Sequence, residues 1–240
     1  MKTKKIFLIQ SLFCLLLLPS CEKDNFTGPN ACFYGSIRDV KTGELVETDL
    51  QNGATIEAYE LGYENPSAQT WVIKNNGEFR NNLVFSNKYD LYLRNANFYP
   101  LEFKSFEIKP GNNEYNFEVE PYIRIKSPTI THNQNEIVAT FSLEGGRENT
   151  IIKNIRLYAF SDMHVGEAVK FDIQSSNDKT NNINEIIDPS KQYELSINLE
   201  KNTNLFKAGR SYYFRIGAIA SLDDVGTVRH NYAPAVKISF

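Results

Sequence analysis

The chain has 240 residues, with 26 lysines and arginines against 29 aspartates and glutamates and a formal net charge of −3. That mildly acidic balance argues against a nucleic-acid binder, whose affinity rests on basic patches, and the length suits two domains of ordinary size. The first residues stand apart from the rest. Lys2, Lys4 and Lys5 precede an apolar run over residues 6–18 broken only by Gln10 and Ser11. This is the charged n-region and h-region of a signal peptide. It falls short of the roughly 20 apolar residues that a spanning helix requires.

Leu18-Pro19-Ser20-Cys21 resembles a bacterial lipobox, with Pro19 departing from the small residue usual at that place. The resemblance implies cleavage of a signal peptide at residues 1–20, acylation of Cys21 and a lipidated tether over 21–30. The competing reading is a secreted protein with a free Cys21. Glu22-Lys23-Asp24 looks like the surface-export signal of Bacteroidetes lipoproteins. The expected location is therefore the outer membrane, lipid-anchored, facing the cell exterior. Loss of residues 1–20 removes three lysines and no acid, leaving 23 basic against 29 acidic side chains, net −6. It also removes Cys14, so with Cys21 acylated only Cys32 remains and no intrachain disulfide can form. Cys32, beside Phe33, reads as a small buried hydrophobe.

Beyond the tether the pattern is period two, not 3.6. Strands are expected at 31–39, 54–61 and 70–74. The last runs into Asn75-Asn76-Gly77, a hairpin signal because Asn and Gly tolerate positive φ. Further strands fall at 88–95, 103–109 and 114–120. Pro121 marks a boundary. A second set follows at 121–128, 136–143, 152–160, 169–173, 193–199, 212–220 and 235–240. The polar stretch 174–190 reads as a long loop with room for one helical turn. The fold class is all-β, two tandem β-sandwiches, one over 31–121 and one over 122–240. With no spacer at 120–122, a fairly fixed relation between them is expected.

Gly35, Ile37, Asp39, Thr42, Gly43, Ala54, Ile56, Gly77, Phe79 and Tyr89 follow the pattern of the carboxypeptidase-regulatory-like, or transthyretin-like, domain. Leu45 and Asn87 depart from it. In "FKAGRSYYFRIGA", Phe206, Tyr212, Phe214, Ile216 and Ala218 occupy the inward positions of an immunoglobulin-like or fibronectin-III-like F strand, with Tyr213, Arg215 and Gly217 facing the other way. The whole mature chain resembles a two-domain Bacteroidetes outer-membrane lipoprotein family of unassigned function. Its members are found beside SusC/SusD-type glycan-uptake systems.

No nucleophile elbow, zincin motif, P-loop or dinucleotide fingerprint is present. His132, His164 and His230 are far apart, and Asp223-Asp224 supplies too few ligands for calcium and reads as a turn. No catalytic residue, metal or cofactor is therefore expected, and the protein reads as a non-enzyme. Sugars stack on aromatic faces and bond amides and carboxylates. Trp71, Tyr63, Tyr99 and Phe98 are the candidate platforms, each with core packing as its alternative. The leading expectation is an accessory in glycan capture that binds a polysaccharide or oligosaccharide beside a SusC/SusD-type complex. The alternative is a structural spacer or scaffold, a docking module or fimbrial-type subunit, without glycan affinity of its own.

Overall fold

Alternation becomes strand along most of the chain. The computed structural model describes residues 27–240, so the expected signal segment, the acylation of Cys21 and tether residues 21–26 lie outside the described residues. Asn30, expected as tether, already belongs to the fold: its side chain bonds Ser86 Oγ and Ser86 N, and its carbonyl accepts from Gly111 N.

The first sandwich is built from β1 (Ala31–Asp39), β2 (Thr55–Glu60), β3 (Ala68–Val72), β4 (Glu78–Val84), β5 (Asn87–Leu93), β6 (Leu101–Ile108) and β7 (Gly111–Val119). One sheet runs β4-β1-β7 and the other β3-β2-β5-β6. Strand β1 pairs antiparallel with β4 and parallel with β7. Period-two alternation sends Phe33 and Ile37 of β1, Ile56 and Ala58 of β2 and Tyr89, Leu91 and Leu93 of β5 inward. Phe33 lies at the centre of an aromatic cluster, with ring centroids 5.2 Å from Phe79, 5.5 Å from Phe106 and 5.6 Å from Trp71. Gly77 closes the Asn75-Asn76-Gly77 turn at φ +82°, where a Cβ would also meet the Val46 carbonyl oxygen at 2.7 Å.

The second sandwich contains β8 (Ile123–Asn133), β9 (Glu136–Gly145), β10 (Ile151–Phe160), β11 (Lys179–Thr180), β12 (Glu185–Ile186), β13 (Gln192–Asn198), β14 (Ser211–Ser221), β15 (Asn231–Tyr232) and β16 (Val236–Ser239). One sheet is β13-β9-β8. The other is centred on β10-β14, with β11 and β12 pairing β10 and with β15 and β16 pairing β14. Phe206, Tyr212, Phe214, Ile216 and Ala218 are all buried in the core between the sheets. The Tyr212 hydroxyl accepts from Lys207 N at 2.8 Å and fixes the corner that feeds β14.

Three local expectations change. Residues 169–173 form no strand: the segment bonds β10 through Phe171 N and Ala159 O and tucks Ile173 into the core. The stretch 174–190 holds the two-residue strands β11 and β12 instead of a helical turn, because the open edge of β10 offers partners to its backbone. Cys32 is only half-buried, and its Sγ bonds Asn82 Oδ1 at 3.0 Å.

The two sandwiches meet across a polar seam. Tyr99 N donates to Glu120 O and Tyr122 N to Asn97 O on either side of Pro121. Arg124 of β8 grips Asp39 of β1 with Nε to Oδ2 at 2.5 Å and Nη2 to Oδ1 at 2.8 Å. Arg215 of β14 is 1 % exposed. Its donors reach Ala233 O, Val165 O, Thr48 O, Asn75 O and, at 2.6 Å, Glu47 Oε2. All five guanidinium donors are thus satisfied, and the Tyr232 ring lies 4.1 Å from the guanidinium carbon. The Tyr232 hydroxyl in turn bonds the Asp49 carboxylate. Two carbonyls and one carboxylate of the first domain thus hold one guanidinium of the second.

Candidate functional site

The outward face of β10 forms the floor of a small polar recess. Ile152, Ile155, Leu157 and Ala159 point into the core, and the odd spacing between the first two has a cause. The pairing of β10 with β14 shifts register between Ile152 and Asn154. An extra residue at that bulge reverses the inward phase, so Asn154, Arg156 and Tyr158 share the outer face. Opposite Arg156 on β14 stands Gly217. Its missing side chain leaves room for two rings: a Cβ there would lie 2.6 Å from Tyr158 Cε2 and 2.9 Å from Tyr232 Cε1.

Asn154, Arg156, Tyr158, Glu167, Asn181 and His230 line a recess of about 160 Å³ over this face. Glu167 comes from the loop after β10, Asn181 follows β11, and His230 precedes β15. The Tyr158 hydroxyl donates to Glu167 Oε2 at 2.8 Å, and Lys170 Nζ donates to Glu167 Oε1 at 2.7 Å. Burial raises the Glu167 carboxyl, but the Lys170 and Tyr158 bonds outweigh it and hold the group below the usual carboxylate range. His230 stands edge-on to Tyr158, centroids 6.2 Å apart. Burial pushes its imidazole down to about 4, so it is neutral at pH 7. Arg156 Nε lies 3.3 Å from Asp178 Oδ2. Asp178 is itself buried, and burial raises its carboxyl despite the guanidinium. Asn154 Oδ1 is used on Asn182 N at 3.0 Å, which leaves its amide nitrogen facing the recess.

Three larger clefts are chemically poorer, the smallest of them about 310 Å³ with Arg38 bonded to Gly43 O, Arg80 to Asn82 Oδ1 and Asn116 to Ser36. One of about 680 Å³ follows the seam beside Leu45, Pro128 and Pro234, but its Asp39 and Arg124 are spent on each other. Another of about 370 Å³ includes Arg147, which is bonded to Glu120 Oε2 at 2.7 Å. Size therefore does not choose the site. What sets the recess apart is burial: the Arg156 side chain is 17 % exposed against 58 % for Arg147, so its guanidinium is partly desolvated while its terminal nitrogens keep no protein acceptor among the described residues.

The four aromatic candidates do not come together. Trp71 is 5 % exposed, packed 5.6 Å from both Phe33 and Tyr89, and donates Nε1 to Gln69 Oε1. Phe98 is 1 % exposed. Both are core residues, because alternation in β3 and the bend into the seam turn them inward. Tyr99 is half-buried, with the Arg147 guanidinium 3.5 Å from its ring centroid and Tyr122 against its edge. Only Tyr63 presents a free face, at 66 % exposure. It lies near the start of β5, where Leu61 N meets Lys88 O, while Tyr99 lies beyond the end of β5. At about 3.3 Å per residue the strand separates them by roughly 20 Å. No group of three or more metal-ligating side chains occurs among the described residues. The recess itself escaped the sequence reading. The i, i+2, i+4 run Asn154, Arg156, Tyr158 was a legible signal, but Glu167, Asn181 and His230 are joined to it only by the fold.

Fold and recess together define a two-domain, all-β protein of tandem sandwiches joined across a polar seam. Residues 31–120 match the N-terminal domain of the "Protein of unknown function (DUF3823)", and residues 123–237 match the "Domain of unknown function (DUF3823_C)". The chain belongs to the DUF3823 family. A crystal structure of "a putative carbohydrate binding protein" from Bacteroides uniformis ATCC 8492 is 49% identical, covers 89% of this chain and 100% of its own, and superposes with TM-score 0.86. A DUF3823 family protein from the same organism shares 18% identity with TM-score 0.71, covering 88% of this chain and 99% of its own. One from Parabacteroides merdae ATCC 43184 shares 18% identity with TM-score 0.69, covering 89% of this chain and 100% of its own. These two relatives show the fold alone. The comparison with curated proteins gave no match.

Proposed function

We propose that this protein is a non-enzymatic carbohydrate-binding accessory, anchored by acylated Cys21 to the outer membrane, facing the exterior and acting beside a SusC/SusD-type glycan-uptake complex. The relative that is 49% identical over its whole length, and whose printed description is a putative carbohydrate binding protein, carries this reading. The recess supports it, since amide, guanidinium, imidazole and carboxylate groups around a tyrosine are the chemistry that bonds sugar hydroxyls. The anchor rests on Leu18-Pro19-Ser20-Cys21, and the outward address on Glu22-Lys23-Asp24. Exposed Tyr63 remains a candidate contact for extended chains.

The soluble 22–240 fragment passed over a broad glycan panel tests the binding. Retention on at least one polysaccharide is expected, and failure of a folded fragment to bind any would sink direct recognition. Copurification of a SusC/SusD-type complex by such a non-binding protein would favour the scaffold role. In cells, Cys21→Ser is expected to move the protein from the membrane to the soluble fraction. Protease added to intact cells is expected to digest the wild type.

A further inference from the structure

We infer that the recess on the outer face of β10 takes an anionic saccharide residue, with its charged oxygens on the Arg156 guanidinium. This rests on the carbohydrate-binding reading above and specifies its ligand class. The free groups are mainly donors. Arg156 uses Nε toward Asp178, and among the described residues no protein acceptor engages its two terminal nitrogens. Asn154 has spent its carbonyl and keeps its amide nitrogen. Asn181 adds a further amide at the rim. The Glu167 carboxylate is held by Lys170 and Tyr158, and Asp178 is buried behind Arg156, with only the 3.3 Å ion pair to that guanidinium among the described residues. A ligand that fills this wall must bring acceptor oxygens, and a guanidinium fork matches a planar carboxylate or a sulfate ester with two parallel bonds.

The surrounding charge agrees. His230 feels the negative field of Glu167 and, against it, the positive fields of three cations, Lys170, Arg156 and Lys153. The acids in reach, Glu167 and Asp178, are each paired with one of those cations. The size is decisive between one sugar and several, because about 160 Å³ is well below the pockets that enclose drug-sized ligands. It fits a single residue, with the rest of a chain running out over the surface.

Calorimetric titration of the 22–240 protein tests this with four probes: an oligogalacturonate, its methyl ester, a sulfated galactan oligosaccharide and the matching neutral galactan. Binding of either acidic probe at least tenfold tighter than its neutral counterpart is expected, and which one binds tells carboxylate from sulfate. Arg156→Gln should lower that affinity tenfold or more. Because it strands buried Asp178, the double variant R156Q/D178N serves as the folded control and should lose binding equally. Equal binding of acidic and neutral probes, or full acidic affinity in the folded double variant, overturns the inference and leaves carbohydrate binding standing. Absence of binding to these four and to the broad panel removes both.

Discussion

Arg215 of the second sandwich donates to the Glu47 carboxylate of the first at 2.6 Å, across a seam that leaves the arginine 1 % exposed. Burial raises the Glu47 carboxyl even though Arg215 pulls it down. The pair is therefore desolvated, and removing one partner costs more than removing both. Arg215→Met is expected to destabilise by about 3–5 kcal/mol, read from urea denaturation. The double variant R215M/E47Q should recover part of that loss. A single variant that unfolds at the wild-type midpoint would show that the seam does not hold the domains.

Acid should weaken the fold in two windows. His230 ionises in the unfolded chain near the ordinary imidazole value of 6.5 but only at about 4 when buried, facing Glu167, Lys170, Arg156 and Lys153. The unfolded state then binds the extra proton between those values, so stability falls as pH drops from 6.5 toward 4. Asp39 acts lower down. Burial raises its carboxyl, but Arg124, Lys41 N and Thr42 outweigh that and hold it below 3.8, so its contribution is lost as pH falls through the folded value. Glu47 and Asp49, raised by burial, act in the opposite sense and offset part of the loss. The His230 share is isolated by difference: denaturation midpoints of His230→Gln should fall less than wild type between pH 6.5 and 4.

Gly217 is a packing requirement of the recess. An alanine Cβ would stand 2.6 Å from Tyr158 and 2.9 Å from Tyr232, two rings held at their hydroxyls by Glu167 and Asp49. Gly217→Ala is expected to cost about 1–3 kcal/mol as an overpacked substitution and to weaken saccharide binding by displacing Tyr158. Thermal unfolding and titration of the same variant separate the two effects.

Trp71 gives a spectroscopic check on where sugar does not bind. Sole tryptophan of the chain and 5 % exposed, it should resist iodide quenching and keep its emission when a bound glycan is added. Trp71→Ala should destabilise by about 3–5 kcal/mol, the range for emptying a large core side chain. A glycan-dependent emission shift would return Trp71 to the binding surface.

Much of the fold was legible because strand alternation is local. Phe33 and Ile37, or Phe214 and Ile216, declare their inward face through neighbours two residues away. The failures were places where pairing partners decide. Residues 169–173 alternate like a strand, yet they meet β10 through Phe171 N and Ala159 O without forming a ladder, while β11 and β12 from further along the chain pair the rest of that edge. The candidate site fared worse. Aromatic side chains suit a core and a sugar platform equally well, so composition could not tell Trp71 and Phe98, now core, from Tyr63, now exposed.

Local patterning specified two strand-rich units, the turn at Gly77, the Tyr212 corner and the outward direction of Arg215 and Gly217. Tertiary structure alone decided what those outward residues meet. Outward from its own sandwich, Arg215 faces not water but Glu47, Thr48 and Asn75 of the other domain, while Arg156, two strand positions from Tyr158 on the neighbouring strand, keeps an opening. A strand's period fixes which side a residue points to. Whether solvent, a ligand recess or another domain lies on that side depends on segments from elsewhere in the chain, Glu167, Asn181 and His230 for the recess and Glu47, Thr48 and Asn75 for Arg215, and no local pattern encodes it.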